Sequence, residues 1–272
     1  MPGDYHIHSY FSGDSGTIPE QNILAAAGRG LDRVCFTEHL DMDYPYDDVC
    51  FDLDTDAYFA EISMLKEKFA GKIEVYTGVE LGLQPHLGTA YNEWLRGRDF
   101  DFIIGSTHLV DRMDPYYPDF WEGRNADDGI RRYLEATLEN ITAFDDFDVY
   151  GHLDYIVRYV PGCRAGFDYA KYADEVDAVL ELLIEKGKGI EVNTGGYRAG
   201  LADPNPCADV VRRFRELGGR IITTGSDAHT PDCVGFGFDD ALSLIRKCGF
   251  DHTTYFRGRK AFDETIPEIT GN

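Results

Sequence analysis

The run Ile73-Glu74-Val75-Tyr76-Thr77-Gly78-Val79-Glu80-Leu81 is rich in β-branched and aromatic side chains and reads as a strand. Just before it, Tyr58, Ile62, Leu65 and Phe69 recur at spacings of four, three and four, the buried stripe of an amphipathic helix. A helix leading into such a strand is one unit of an α/β fold built on parallel strands. The run also ends by delivering a carboxylate, Glu80 of Gly78-Val79-Glu80, at the end where parallel strands carry their chemistry.

Working outward, the same unit recurs. Six further strand-like runs are Asp4 to His8, Arg33 to His39, Phe102 to Val110, Val149 to Asp154, Gly189 to Thr194 and Arg220 to Asp227. Helical stripes recur at Ile130, Leu134, Leu138 and Ile141, at Tyr172, Val176, Val179 and Leu183, and at Val210, Phe214 and Leu217. A single barrel accommodates 272 residues, and no repeat or low-complexity linker divides them, so one domain over 1–272 is expected. The expected fold is a distorted (β/α)7 barrel, irregular because seven strands take the place of eight. A doubly wound open sheet is the competitor, but its G-x-G-x-x-G fingerprint after the first strand is absent. Asp111 to Asp128, with Pro115, Tyr116, Tyr117, Pro118, Phe120 and Trp121, is too long for a bare connection and is expected to fold over the mouth of the site.

Charge and composition exclude several function classes. Lys plus Arg number 26 against 49 Asp plus Glu, a net charge of −23 that repels long nucleic acids. With 43% apolar and 13% aromatic residues, the chain has the material for a large core. Met1-Pro2-Gly3-Asp4 lacks the basic start of a signal peptide and no apolar run is long enough for a membrane span, so a cytoplasmic protein without membrane contact is expected. Cys35, Cys50, Cys163, Cys207, Cys233 and Cys248 are scattered without a C-x-x-C pair and are expected to be reduced, structural thiols.

Six of the eight histidines fall at predicted strand ends. Residues two apart on a strand face one side, so His6 and His8 can converge on one cation. His39 ends Thr37-Glu38-His39, His108 ends Ser106-Thr107-His108, and His152 lies in Gly151-His152-Leu153-Asp154. Asn193 ends the sixth run, and the seventh closes with Ser226-Asp227-Ala228-His229. One such histidine is more often a hydrogen-bonded core residue than a ligand, but donors arriving from nearly every strand point to a metal centre. His86 and His252 lie outside the pattern. Asp4 is expected to orient an imidazole, and Glu38 to point away from His39 by strand alternation.

The ordered set H-x-H, T-E-H, G-V-E, S-T-H, G-H-L-D and S-D-A-H resembles the polymerase and histidinol phosphatase (PHP) superfamily of metal-dependent phosphoesterases, and within it the histidinol-phosphate phosphatase family. The likeness runs from His6 to Tyr255-Phe256-Arg257-Gly258-Arg259-Lys260. It implies a distorted seven-stranded barrel with two or three divalent metals on its C-terminal rim. It implies a first metal on His6, His8, Glu80 and Asp227, and a second on Glu80, as bridge, with His108 and His152. A third would sit on His39, His229 and a residue near Asp14, where many relatives have a histidine. The donors suit zinc, iron or manganese.

Such a centre activates a bridging water for attack on phosphorus, so no serine or cysteine nucleophile is needed. Three divalent ions bring about +6 and Asp14, Glu80, Asp227 and a hydroxide about −4, which leaves a pocket that attracts a phosphate dianion. Arg158 and Arg198, in loops after the fifth and sixth runs, are candidate phosphate-binding residues, since guanidinium grips phosphate bidentately. Asp154 either protonates the departing alkoxide or orients a ligand. Tyr10 and Phe11, with the aromatic segment from Tyr116 to Trp121, either close over a small substrate or pack the loop on the barrel. The expected activity is hydrolysis of L-histidinol phosphate to L-histidinol and phosphate, a step of histidine biosynthesis. The alternatives are another small phosphomonoester, a nucleotide or a short oligonucleotide, a degenerate binding module, and a hydrolase of C–N or C–O bonds. The oligomeric state stays open.

Overall fold

A computed structural model of the chain describes residues 3–161 and 166–266; Cys163 lies outside them. The seven strand-like runs become β1 (Asp4–Ile7), β2 (Arg33–Leu40), β3 (Glu74–Gly82), β4 (Phe102–Ser106), β5 (Val149–Tyr150), β6 (Gly189–Asn193) and β7 (Ile222–Gly225). They pair in chain order, every neighbour parallel. Beyond β7 the chain meets β1 again: Ala228 bridges Ile7, and the His8 amide donates to the Ala228 carbonyl at 2.9 Å. The result is a nearly closed α/β barrel, as the sequence leads one to expect.

Strand alternation splits the barrel into three zones. Outward side chains such as Val34, Phe36, Val75, Val79, Ile103, Ile190, Val192 and Ile222 pack beneath the helices in the main core. Those helices include Thr55–Lys68, Ala126–Ala143, Ala173–Glu185 and Ala208–Glu216, which carry the four stripes seen in the sequence. Inward side chains at the N-terminal end, Tyr5, Cys35, Tyr76, Phe102, Ile104 and Val149, make a second cluster that closes the bottom with Phe256. The same faces at the C-terminal end carry His39, Glu80 and Ser106, so polarity changes along one line of side chains.

The observed strands are shorter than expected at the fourth, fifth and seventh runs. The backbone turns left-handed at His152 (φ 21°) and Asp227 (φ 55°), which ends regular pairing and swings both side chains over the barrel top. Helices Pro19–Gly28, Gly88–Leu95 and Phe238–Lys247 were not marked by the sequence reading. Nor was the antiparallel hairpin β8 (His252–Arg257) and β9 (Lys260–Thr265), which plugs the bottom; the Tyr5 hydroxyl donates to the Phe256 carbonyl at 2.9 Å. The five described cysteines are free thiols. Among the described residues no helix is long and apolar enough to cross a membrane.

Candidate metal centre

Glu80, at the C-terminal end of β3, is wholly buried and stands between two groups of imidazoles. Its Oε2 lies 3.0 Å from His6 Nε2, 3.6 Å from His8 Nε2 and 3.1 Å from His39 Nδ1. Its Oε1 lies 3.2 Å from His108 Nε2 and 2.9 Å from His152 Nε2, and accepts a 2.7 Å hydrogen bond from the Ser106 hydroxyl. One carboxylate oxygen for each group is the geometry of a bridge.

The other ring nitrogens are held from behind. His6 Nδ1 donates to Glu191 at 2.6 Å and His108 Nδ1 to Asp41 at 2.7 Å. His8 Nδ1 donates to the Ser12 hydroxyl at 3.0 Å, which in turn donates to Glu38 at 2.6 Å. His229 Nδ1 donates to the Asp227 carbonyl at 3.0 Å. Each bond fixes the tautomer that leaves Nε2 a free lone pair, aimed at the centre in His6, His8 and His108 and toward Asp14 in His229. Gly225 keeps this shell compact, because a Cβ there would overlap Glu191 and His6.

Several donor atoms have no protein partner. Among the described residues, His8 Nε2, His39 Nδ1 and Asp41 Oδ2 are buried without a hydrogen bond. The sets His6-His8-Glu80, Glu80-His108-His152, His8-His39-His229 and His39-Asp41-His108 each bring their ligand atoms within 4.8 Å of one another. Buried polar atoms normally find partners, and a cation supplies one to all of these at once. The residues therefore fit a multinuclear metal site. The carboxylates make this a site that attracts positive charge. Burial opposes charge on His6 and His39, yet Glu191 and Glu80 around the first, and Asp14 and Glu80 around the second, hold both well above the ordinary imidazole value. Burial, reinforced by His39 and His229, pushes His8 well below it.

Asp227 Oδ1 lies 3.6 Å from His8 Nε2 and 3.9 Å from His6 Nε2, so it joins the first group. Asp14 Oδ2 lies 3.0 Å from His229 Nε2 and 3.6 Å from His39 Nε2, next to the third. All nine expected ligands thus meet at one end of the barrel.

The other expected residues divide. Arg158 lines the cavity and donates to Asn205, Asn193 and Asp227 at 2.8, 2.9 and 3.1 Å. Arg198 does not line it: the guanidinium donates to the Ser226 carbonyl and, at 2.7 Å, to the Asp227 carbonyl, so it pins the backbone behind a ligand. Asp154 is buried away from the cavity and accepts from the Asn205 amide and, at 2.9 Å, from the Cys207 amide. Burial raises its pKa to about 6, but both oxygens are occupied by protein donors, and it acts through Asn205 on Arg158. Asp4 orients no imidazole, contrary to expectation: it accepts from the Ser226 hydroxyl and from the Ser226 and Gly235 amides at 2.9 and 2.8 Å, tying the segment after β7 to β1. Glu38 points away from His39 as expected, yet it reaches the centre through Ser12. His86 pairs with Asp43 on the surface, and His252 lies in the hairpin at the other end.

Over these donor side chains opens a cavity of about 370 Å³. Tyr44 and Phe51, from the segment after β2, face Tyr116 and Tyr117, with Tyr155 and Tyr159 on a third side. The loop after β4 therefore covers the mouth only in part: Phe120 is buried in the core, and Trp121 packs against it while donating to the Pro115 carbonyl at 2.8 Å. Tyr10 and Phe11 stay off the cavity, Tyr10 against Glu61 and Phe11 against Tyr58. Sequence reasoning missed Asp41, Glu191 and the Tyr44–Phe51 wall. Two had a signal: Asp41 follows His39 by two residues, and Glu191 is a lone charge in the apolar run Gly189–Asn193.

Comparisons with known proteins place this geometry. The family model described as PHP domain matches residues 4–195. The histidinol-phosphatase of Lactococcus lactis subsp. lactis is 33% identical over 261 residues, 94% of this chain and 95% of that protein. A probable histidinol-phosphatase of Clostridium acetobutylicum is 30% identical, over 91% of this chain and 94% of that one. The crystal structure of the Lactococcus lactis histidinol phosphate phosphatase, complexed with zinc, L-histidinol and phosphate, superposes with a TM-score of 0.88 at 31% identity, covering 96% of this chain and 98% of the other.

Proposed function

This chain belongs to the PHP domain family, and from that footing we propose that it is a metal-dependent phosphatase that hydrolyses L-histidinol phosphate to L-histidinol and orthophosphate. One observation carries the chemistry: Glu80 turns one oxygen to His6 and His8 and the other to His108 and His152. Supporting the substrate are the Lactococcus lactis relative's name and the zinc, L-histidinol and phosphate in its crystal structure.

His6, His8, Glu80 and Asp227 would hold one divalent metal, Glu80, His108 and His152 a second, and His39, His229 and Asp14 a third. Zinc is the metal we propose, iron and manganese being compatible with the same donors. Bound there, such ions supply an activated water and a clamp on phosphoryl oxygens.

The chain's own residues do the rest. Glu191 and Asp41 keep protons on the outer nitrogens of His6 and His108, so that their inner nitrogens stay available for the metal. Arg158 spends three of its five N–H groups on Asn205, Asn193 and Asp227, leaving two for a phosphate oxygen at the cavity wall. The tyrosine walls enclose a small organic group and shield the phosphoryl centre from bulk water. A single PHP-type domain serving a small-molecule phosphomonoester in the cytoplasm, without long nucleic acid or membrane partners, completes the reading.

The test is turnover by zinc-loaded protein of L-histidinol phosphate beside a panel of sugar, nucleotide and aryl phosphates. A kcat/KM for L-histidinol phosphate well above the panel is expected. Equal or higher values for another class would transfer the assignment to that class.

A further inference from the structure

Arg158 is held from three sides. Its Nε donates to the side-chain oxygen of Asn205, its Nη2 to that of Asn193 and its Nη1 to Asp227. Two successive glycines leave room for this arrangement: a Cβ on Gly195 would lie 2.8 Å from Arg158 Nη2, and one on Gly196 2.9 Å from Asn205 Oδ1. The backbone of Asn205 is tied to the end of β6, exchanging amide-to-carbonyl bonds of 2.8 and 2.9 Å with Asn193. Its side chain is a different matter, because a carboxamide has a donor end and an acceptor end and either fits the same space.

Asp154 decides which end faces the arginine. It directly precedes the turn Tyr155–Arg158, and both it and Asn205 are buried. One carboxylate oxygen accepts from the Cys207 backbone amide at 2.9 Å, and the other accepts from the Asn205 side-chain amide. A carboxylate accepts only and a guanidinium donates only, so Asn205 satisfies both in a single orientation, its NH2 to Asp154 and its oxygen to Arg158. Reversed, it would set acceptor against acceptor on one side and donor against donor on the other, with no water to relieve either. We propose that Asp154 is a positioning residue for phosphate binding, which through Asn205 holds the Arg158 guanidinium with its remaining N–H groups on the cavity. The inference rests on the reading of Arg158 as a phosphate ligand and deepens it. Asp154 needs no contact with the substrate for this role.

The experiment titrates inorganic phosphate into zinc-loaded protein by calorimetry, with metal content measured, and records KM for L-histidinol phosphate beside it. D154N keeps the shape but brings in an NH2 between two donors. The Cys207 backbone amide cannot turn, so the conflict falls on Asn205, which reverses and presents its own NH2 to Arg158. Phosphate affinity should fall by roughly 10- to 100-fold and KM should rise with it, at unchanged zinc content. The reciprocal variant D154N/N205D restores the order, amide donating to carboxylate and carboxylate accepting from Arg158, and phosphate affinity should return to within about 5-fold of wild type. That recovery is the decisive readout, since a side chain needed only for folding would not be replaced by a second change, and it holds even where D154N alone folds poorly. Wild-type phosphate affinity in D154N, or a reciprocal variant no tighter than D154N, would overturn the proposal. So would an equal loss from D154N in the presence and absence of Arg158, read by comparing R158A with R158A/D154N, because a positioning effect disappears with the residue positioned. R158A that binds phosphate as tightly as wild type would sink the phosphate reading of Arg158 itself, and the inference with it.

Discussion

Glu80, beneath the cavity, and Asp114, on its wall, are buried carboxylates held in opposite ways. Glu80 projects from a strand whose register is locked on both sides, Glu80 opposite His39 on β2 and opposite Ile104 on β4. Around it His6, His8 and His108 are each held by a second partner, Glu191, Ser12 and Asp41. Asp114 sits on a rim made of two irregular segments joined by hydroxyl-to-carboxylate bonds: Tyr44 to Asp114, Tyr46 to Asp119 at 3.0 Å and Tyr117 to Asp48. The Tyr46 and Tyr117 rings stack between them with centroids 4.0 Å apart. Sheet pairing fixes the floor to the tolerance that coordination demands, whereas the rim is positioned by contacts that can change with the ligand it has to recognise.

That contrast predicts a steep gradient of effects from floor to rim. Glu80→Gln removes the charge that faces both imidazole groups, so hydrolysis should fall by about a thousandfold or more and bound metal should drop with it, read by steady-state assay and elemental analysis. One step back, Glu191→Gln leaves His6 without its anionic partner, and metal affinity or activity should fall by roughly 10- to 100-fold, measured by zinc titration. Arg198→Ala separates two views of that residue. As a phosphate ligand its loss would raise KM at constant metal content; as the clamp on the Ser226 and Asp227 carbonyls, which the geometry favours, its loss should weaken metal binding by about tenfold. Smallest is Tyr117→Phe, which removes one rim hydroxyl and keeps the stacked ring. Stability should change by no more than about 0.5 kcal/mol in denaturant unfolding. A larger loss there would mean that the rim is as rigidly built as the floor.

The same contrast explains what the amino-acid order discloses. The strand runs and their terminal donors were legible because alternation ties side-chain direction to position: Glu80 and His39 have to share a face with Tyr76 and Cys35 beneath them. Direction is lost where the backbone leaves the strand. Arg198 is in the loop foreseen for it, yet it points back at carbonyls, and Asp154 turns to Asn205 because the chain bends left-handed at His152. Asp114 gave no signal at all, being one acid among many in an irregular segment. The closing hairpin was unreadable for another reason: in Lys260–Thr265 charged and polar side chains predominate, and its pairing with His252–Arg257 replaces an apolar pattern.

The central claim is that donors far apart along the chain close on shared cations at the top of the barrel. Anomalous diffraction from zinc-loaded crystals, recorded on both sides of the zinc edge, tests it directly. Peaks are predicted at about 2.0–2.1 Å from the inner nitrogens of His6 and His8, and of His108 and His152, with Glu80 between them, and a third beside His39, His229 and Asp14. Anomalous signal confined to other parts of the molecule, with those imidazoles left uncoordinated, would contradict it.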